Sequence, residues 1–280
     1  IHNSNVAILN PIIPQPQSIE FKEGYLNMKD IKEMYTNLNI QEQEPLLHYI
    51  THKFLNIKAT DIVDNANLQL IVTQDTSFIS DESYSLEADK SGITIKASDR
   101  AGIFYGIQSL LQLIDKETGK IPFVKITDSP RFAYRGMMLD VSRHFADKEF
   151  IKKQLDMMAY YKLNRFHWHL TDGAGWRIEI KKYPQLTEQT AYRSFENYRE
   201  WNDNGKKYST KESPDAYGGF YTQDDIKEIV AYARLLGITI IPEIEMPGHS
   251  EEVLAVFPEL SCAGKPYVDS DFCIGNEETF

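Results

Sequence analysis

The sequence predicts an α/β protein in two parts: a small N-terminal α/β domain over residues 1–127, and a run of strand–helix units over 128–280. Three observations predict it. Two alternating apolar segments flank a hairpin turn and lead into a helix-period stretch. From residue 134 onward, short apolar strands alternate with helical patterns, the rhythm of parallel βα units. Finally, Arg143, His144, Asp172, Glu243 and His249 all fall just after a strand.

The elements follow in order. The first ten residues form a polar lead, and Pro11, Pro14 and Pro16 punctuate an extended entry segment. Residues 68–72 read as a strand. Residues 84–88 and 93–97 are strands around Asp89-Lys90-Ser91-Gly92, a hairpin turn. A helix over 100–113 follows, with apolar positions 103, 104, 107, 110, 111 and 114 on one side. Residues 116–120 are a polar turn and 121–130 a linker strand. In the second part, 134–140 is a strand, and Asp147 caps a helix whose inner face is Ile151, Leu155, Met158 and Ala159. Residues 165–170 form the next strand, and 171–221 a long insertion. Thr222 to Asp225 opens a helix in capping-box fashion, with Ile226, Ile229, Val230 and Ala233 inward and Gly237 closing it. Residues 238–241 are a strand, and Ser250 caps a last helix.

Composition narrows the function. A chain of 280 residues suits one large domain or two ordinary ones. The net charge of −11 argues against a nucleic-acid or anionic-membrane partner. No apolar run approaches the ~20 residues of a membrane span. The chain opens Ile1-His2 with neither Met nor a signal-peptide pattern, so it reads as a processed or recombinant product. Cys262 and Cys273 lack zinc-finger or redox-motif spacing. They are either one local disulfide, which implies an exported protein, or two unrelated buried thiols.

The stretch 162–184 is the most informative. His167, His169 and Asp172 crowd a strand terminus, beside Trp168 and Trp176. Such residues are either satisfied core groups or parts of a polar site. His167 and His169 share a strand face but lack the helical spacing of common zinc sites, so neither a metal nor a cofactor is expected. Candidates at strand ends would line the catalytic face of a (β/α)8 barrel or the crevice of a doubly wound sheet. No Gly-rich phosphate turn follows any strand, which disfavours a nucleotide enzyme.

Three ordered segments resemble glycoside hydrolase family 20, the β-N-acetylhexosaminidases. They are Arg135-Gly-Met-Met-Leu-Asp-Val-Ser-Arg-His-Phe145, His167-Trp-His-Leu-Thr-Asp-Gly-Ala-Gly-Trp-Arg177 and Ile241-Pro-Glu-Ile-Glu-Met-Pro-Gly-His249. They resemble the family's first three barrel strands, and residues 11–125 resemble its preceding non-catalytic α/β domain. The resemblance implies part of a (β/α)8 TIM barrel and substrate-assisted, retaining hydrolysis of terminal N-acetylglucosamine or N-acetylgalactosamine from glycans. In that mechanism the substrate's acetamido oxygen attacks the anomeric carbon. An Asp orients the acetamido group, and the adjacent Glu is the general acid.

The family carries that pair in a His-x-Gly-Gly-Asp-Glu motif on the fourth strand, and this sequence contains no such motif. The chain therefore reads as the N-terminal part of such an enzyme, with roughly three of eight βα units. By resemblance, Arg143 holds the sugar's outer hydroxyls, and Asp172 and His249 form a relay that orients and tunes the acid. His169 is a supporting brace, and Glu243 and Trp176 belong to the substrate-binding set. From the residues alone, the alternatives are a salt bridge of Arg143 with Asp140 or Asp147, backbone bonding of His249 at a helix start, and loop packing of Trp176. Gly173-Ala174 and Glu245 depart from the family pattern and bear on fine specificity. Competing readings are a non-catalytic glycan-binding protein on the same scaffold, and an unrelated (β/α)8 hydrolase using Asp172 and Glu243 as acid and base.

Because the Asp-Glu pair is absent, residues 1–280 taken alone are expected not to hydrolyse a chromogenic N-acetyl-β-glucosaminide. Proton transfer by a general acid contributes roughly 10²- to 10⁴-fold. Turnover comparable to that of an extended gene product would show the acid to lie elsewhere.

Overall fold

The computed structural model describes residues 9–39, 46, 48–50, 57–74, 78 and 80–279. Residues 1–8, most of the polar lead, lie outside the described residues. Two compact units are present: Ile1–Tyr134 with Ala159–Lys162, and Arg135–Met158 with Leu163–Phe280.

The first unit is built on a seven-stranded sheet. Its strands are β1 (Ser18–Asn27), β2 (Glu33–Thr36), β3 (Lys58–Ala59), β4 (Leu68–Val72), β5 (Tyr84–Asp89), β6 (Gly92–Ala97) and β7 (Lys120–Asp128). The spatial order is β1-β7-β5-β6-β4-β2-β3. Helix α1 (Arg100–Leu113) lies between β6 and β7 in the chain and buries Ile103, Phe104, Ile107, Leu110 and Leu113. The Asp99 carboxylate caps it, accepting from Gly102 N at 2.7 Å. In β5, Tyr84, Leu86 and Ala88 point inward, and in β6 Ile93, Ile95 and Ala97 do so, the period-two pattern of a half-buried strand.

Residues 121–130, read as a linker strand, do form a strand, but one built into the sheet: β7 lies between β1 and β5, antiparallel to both. Its inward residues Ile121, Val124 and Ile126 are fully buried. Pro122 breaks the alternation, and one of its partners, β1, is remote in sequence, so local pattern understates it.

The second unit holds a three-stranded parallel sheet, ordered β15-β9-β8. Chain order runs β8 (Gly136–Asp140), α2 (Lys148–Tyr160), β9 (Arg165–His169), the hairpin β10 (Thr171–Asp172) and β11 (Gly175–Trp176), then α3 (Gln185–Thr190) and β12 (Tyr192–Arg193). After these come α4 (Tyr198–Asp203), β13 (Tyr208–Ser209), β14 (Tyr217–Gly218), α5 (Gln223–Leu235), β15 (Thr239–Glu243) and α6 (Glu251–Val256). Helices α2 and α5 are the crossovers that parallel strands require. Ile151, Leu155, Met158 and Ala159 of α2 are buried, as their spacing implies.

The register carries the function. Met138 pairs with His167 and His167 with Ile241, while Asp140 pairs with His169 and His169 with Glu243. Since alternate residues share a face, Asp140, His169 and Glu243 form one polar row at the C-terminal strand ends.

The insertion is not a plain loop. Strands β12, β13 and β14 form a small antiparallel sheet, and its chain returns through a bridge between Ile178 and Tyr221. Helix α5 shows the full capping box between Thr222 and Asp225, but its inward face is narrower than its period implies. Ile229 and Ala233 are buried, whereas Val230 is 45% exposed. It lines an open apolar groove of about 640 Å³ with Trp168, Ile226, Ile238 and Ile240. Ser250 stands at the N-cap of α6, but its hydroxyl donates to Gly248 O and not to the helix.

Thr222→Ala removes one half of the capping box. It is expected to cost about 1 kcal/mol, read as a lower urea midpoint at unchanged slope.

Candidate active site

The site is assembled from three strand ends. Past β8 the chain turns under the Asp140 carboxylate, whose Oδ1 accepts from Ser142 N and Arg143 N, both at 3.0 Å. This turn sends the Arg143 guanidinium back over the strand end. Its Nη1 donates to Asp140 Oδ2 at 2.7 Å, and its Nη2 lies 2.6 Å from Asp172 Oδ2. Asp172, on β10, is buried and receives Gly173 N at 2.7 Å and His169 Nε2 at 3.1 Å. His249 Nδ1 lies 3.6 Å from Asp172 Oδ1, a contact too long for a hydrogen bond. The His249 side chain is 62% exposed, so it connects the buried carboxylate with the open side of the site.

His169 is the centre of the cluster. Its Nδ1 stands 2.6 Å from Glu243 Oε2, close but out of line for a hydrogen bond, and 3.9 Å from Glu245. His167 Nε2 touches the same Glu243 oxygen at 2.5 Å. Burial opposes charge on His169, but its contacts with Asp172 and Glu243, and the field of Asp140, outweigh it and raise its pKa to about 9. Burial likewise opposes ionisation of Asp140 and Glu243. Arg143 nevertheless holds the Asp140 carboxyl below its usual range, and His169 does the same for Glu243. Burial and its neighbour Glu243 push Glu245 the other way, upward. The site thus places a cationic imidazole and a guanidinium on either side of one buried carboxylate.

Arg143, His169, Asp172, Glu243 and His249 are therefore brought together. Arg143 does form the salt bridge with Asp140, and it reaches Asp172 with its other nitrogen. Trp176 is not part of the group, and its assignment to substrate binding is corrected. Its ring packs in a core with Leu186 and Val253, and its Nε1 donates to Ile178 O at 2.6 Å. Buried between α3 and α6, it offers no face to a sugar.

Ligand atoms of His169, Asp172 and Glu245 lie within 4.8 Å of one another, close enough to surround a cation. Arg143 Nη2 already lies 2.6 Å from Asp172 Oδ2, so a cation there would compete with the guanidinium for that carboxylate.

Asp140 and Glu245, which the sequence reading treated only as a salt-bridge partner of Arg143 and as a departure from the family pattern, also stand in the cluster, and strand-end placement could have marked them as members. Gly173 has a physical account. A Cβ there would stand 2.2 Å from Glu251 Oε2, and that carboxylate pairs with Lys206 at 2.8 Å. Tyr208 donates to Gly173 O at 2.5 Å. Glu252 is fully buried, and burial pushes its carboxyl well above the usual range. Cys262 and Cys273 are joined as a disulfide, Cα to Cα 4.8 Å. The closed loop braces the His249 turn, with Ser250 N donating to Ser270 O and Phe272 N to Pro247 O, each at 2.8 Å.

Comparison with known proteins decides the family. The profile for the catalytic domain of glycosyl hydrolase family 20 matches residues 132–280, and that for domain 2 of the family matches 10–129. The chain belongs to glycosyl hydrolase family 20. A β-hexosaminidase of Porphyromonas gingivalis is 43% identical over 219 residues, 72% of this chain and 26% of that protein. One of Vibrio furnissii is 37% identical over 89% of this chain and 39% of its own length. Among solved family 20 structures, the β-N-acetylhexosaminidase of Bacteroides fragilis superposes with TM-score 0.80 at 34% identity, over 96% of this chain and 52% of that one. The Streptomyces plicatus N-acetyl-β-hexosaminidase gives TM-score 0.80 at 28% identity, over 96% and 54%. The chain thus spans about a quarter to a half of these family 20 relatives. Its three parallel βα units are part of their TIM barrel.

The raised His169 pKa has a measurable consequence. Protonated His169 stabilises the fold fully below its unfolded value near 6.5, and this contribution is lost as pH rises through about 9. The midpoint of thermal unfolding is expected to fall over that window. In His169→Gln the fall is expected to be flatter, because the titrating group is gone.

Proposed function

We propose that the protein is a β-N-acetylhexosaminidase that removes terminal N-acetylglucosamine or N-acetylgalactosamine from glycans by substrate-assisted, retaining catalysis. The observation that carries this reading is the convergence of Arg143, Asp172 and His249, from three separate strand ends, on one cluster. Relatives named β-hexosaminidase and N,N'-diacetylchitobiase support it, as does a Vibrio harveyi exo-β-N-acetylglucosaminidase solved with N-acetylglucosamine.

Each residue has a role that its chemistry suits. The Arg143 fork, fixed by Asp140, reaches the outer hydroxyls of the terminal sugar in bidentate fashion. Asp172 is a buried carboxylate behind His249. Together they hold and tune the general acid, which these 280 residues do not include. His169 and Glu243 brace Asp172 from beneath, with Glu243 at the edge where substrate enters. Residues 1–127 are the non-catalytic domain and 128–280 the catalytic one. The disulfide suits an exported protein, periplasmic or extracellular. Among the described residues no helix is long and apolar enough to cross a membrane.

In the complete enzyme, Arg143→Ala is expected to raise KM for a chromogenic N-acetyl-β-glucosaminide by about ten- to a hundredfold, the loss of a charge-assisted hydrogen bond. Asp172→Asn and His249→Ala are expected chiefly to lower kcat and to shift its pH profile. An unchanged kcat and profile in both would refute the relay.

A further inference from the structure

Two arginines of the second unit are buried, and among the described residues neither forms an ion pair with a carboxylate. Arg177 and Arg193 are both 0% exposed. A buried guanidinium without an acid is costly unless its donors are met in some other way. Here backbone carbonyls meet them. Arg193 Nε donates to Phe195 O at 3.1 Å, Nη1 to Ala174 O at 3.2 Å, and Nη2 to Arg143 O at 2.8 Å and Glu196 O at 2.9 Å. Its plane is boxed by aromatic rings, with Cζ 5.5 Å from the Trp201 centroid and 5.1 Å from that of Tyr217. Arg177 clasps the neighbouring carbonyls of Val141 at 3.1 Å and Ser142 at 2.6 Å.

The geometry points to Arg193 as a positioning residue for Arg143: its guanidinium fork ties the backbone of Arg143 to that of Ala174 and so sets where the Arg143 side chain meets Asp172. Arg143 follows β8, and Ala174 lies in the tight turn between Asp172 and Gly175. The two loops are far apart in sequence, and no strand ladder joins them. Ser142 adds a weaker tie, its Oγ lying 3.0 Å from Asp172 O and 2.8 Å from Gly175 O. Arg193 stands on β12, inside the insertion, and Trp201 and Tyr217, which box it, belong to the same insertion. That segment therefore acts on the site through the backbone that carries Arg143. A lysine could keep the charge but not the fork, since it offers one nitrogen where two carbonyls must be bridged.

This inference rests on the role proposed for Arg143, and the test separates the two. In the full-length enzyme, KM and kcat for a chromogenic N-acetyl-β-glucosaminide are measured for R143A, R193Q, R193K and the double variant R143A/R193Q. Thermal midpoints are recorded alongside. R193Q and R193K are both expected to raise KM about tenfold with a smaller change in kcat. The double variant is expected to be no worse than R143A alone, because residues acting through one interaction do not add. A general structural defect would instead multiply the two effects, and that result would overturn the inference. So would a wild-type KM in R193Q, or full recovery in R193K, which would show that charge alone suffices.

Should R193Q and R193K not fold, Ser142→Ala and its double variant with R143A replace them, since Ser142 ties the same loops. A rise in KM for S142A that vanishes in the R143A background supports the tie, and an unchanged KM overturns it. If R143A itself leaves KM unchanged, the functional reading falls and this inference with it. If R143A raises KM but the cycle is additive, only the role of Arg193 falls.

Discussion

The site depends on one charged ring held in a row of carboxylates. His169 is buried, yet it keeps its proton because Asp172, Glu243 and Asp140 surround it. Taking such a ring out of water is unfavourable, and only close anionic contacts compensate. Those contacts exist because three parallel strands hold Asp140, His169 and Glu243 in register. A slip of one residue in either strand pair would turn one member of the row to the other face. The register is in turn supported by the apolar residues between the polar ones, Phe166 and Trp168 among them, which are fully buried.

Around this row, donors are arranged so that one carboxylate is held in place. Asp172 takes donors from Arg143, His169 and its own turn, which leaves little freedom to rotate. Only His249 approaches it from the open side. A buried carboxylate in contact with an exposed imidazole suits transmission of charge better than direct attack on a substrate. The disulfide loop contributes by packing its backbone against the turn that carries His249. The insertion contributes through guanidiniums saturated by carbonyls, a rigid arrangement because each bond is directional and none is open to water.

Much of this was legible in the amino-acid order. Strand-end placement found Arg143, Asp172, Glu243 and His249, because βα units put polar residues where the sheet stops. Helix periods found the inner face of α2; in α1, Leu111 and Ile114 are only half-buried while Gln108, Ser109 and Gln112 are buried. The failures share one cause. β7 read as a linker strand outside the sheet because one of its two partners is remote in the chain. Val230 looked inward because period alone cannot tell which part of a stripe is covered. Trp176 was left between loop packing and sugar contact because sequence shows an aromatic residue but not what packs upon it. Arg177 and Arg193 carried no signal, since an arginine in a polar insertion reads as solvated.

By itself, then, the sequence determined the element types, the βα rhythm, the family and which side chains stand at strand ends, all of which follow from local periodicity and short ordered motifs. Only the tertiary structure decided that Arg143 bonds both Asp140 and Asp172, that His169 is charged, that Trp176 is core and that Arg193 bridges two loops. These are matters of distance and desolvation between residues far apart in the chain, set by strand register and by what covers each group.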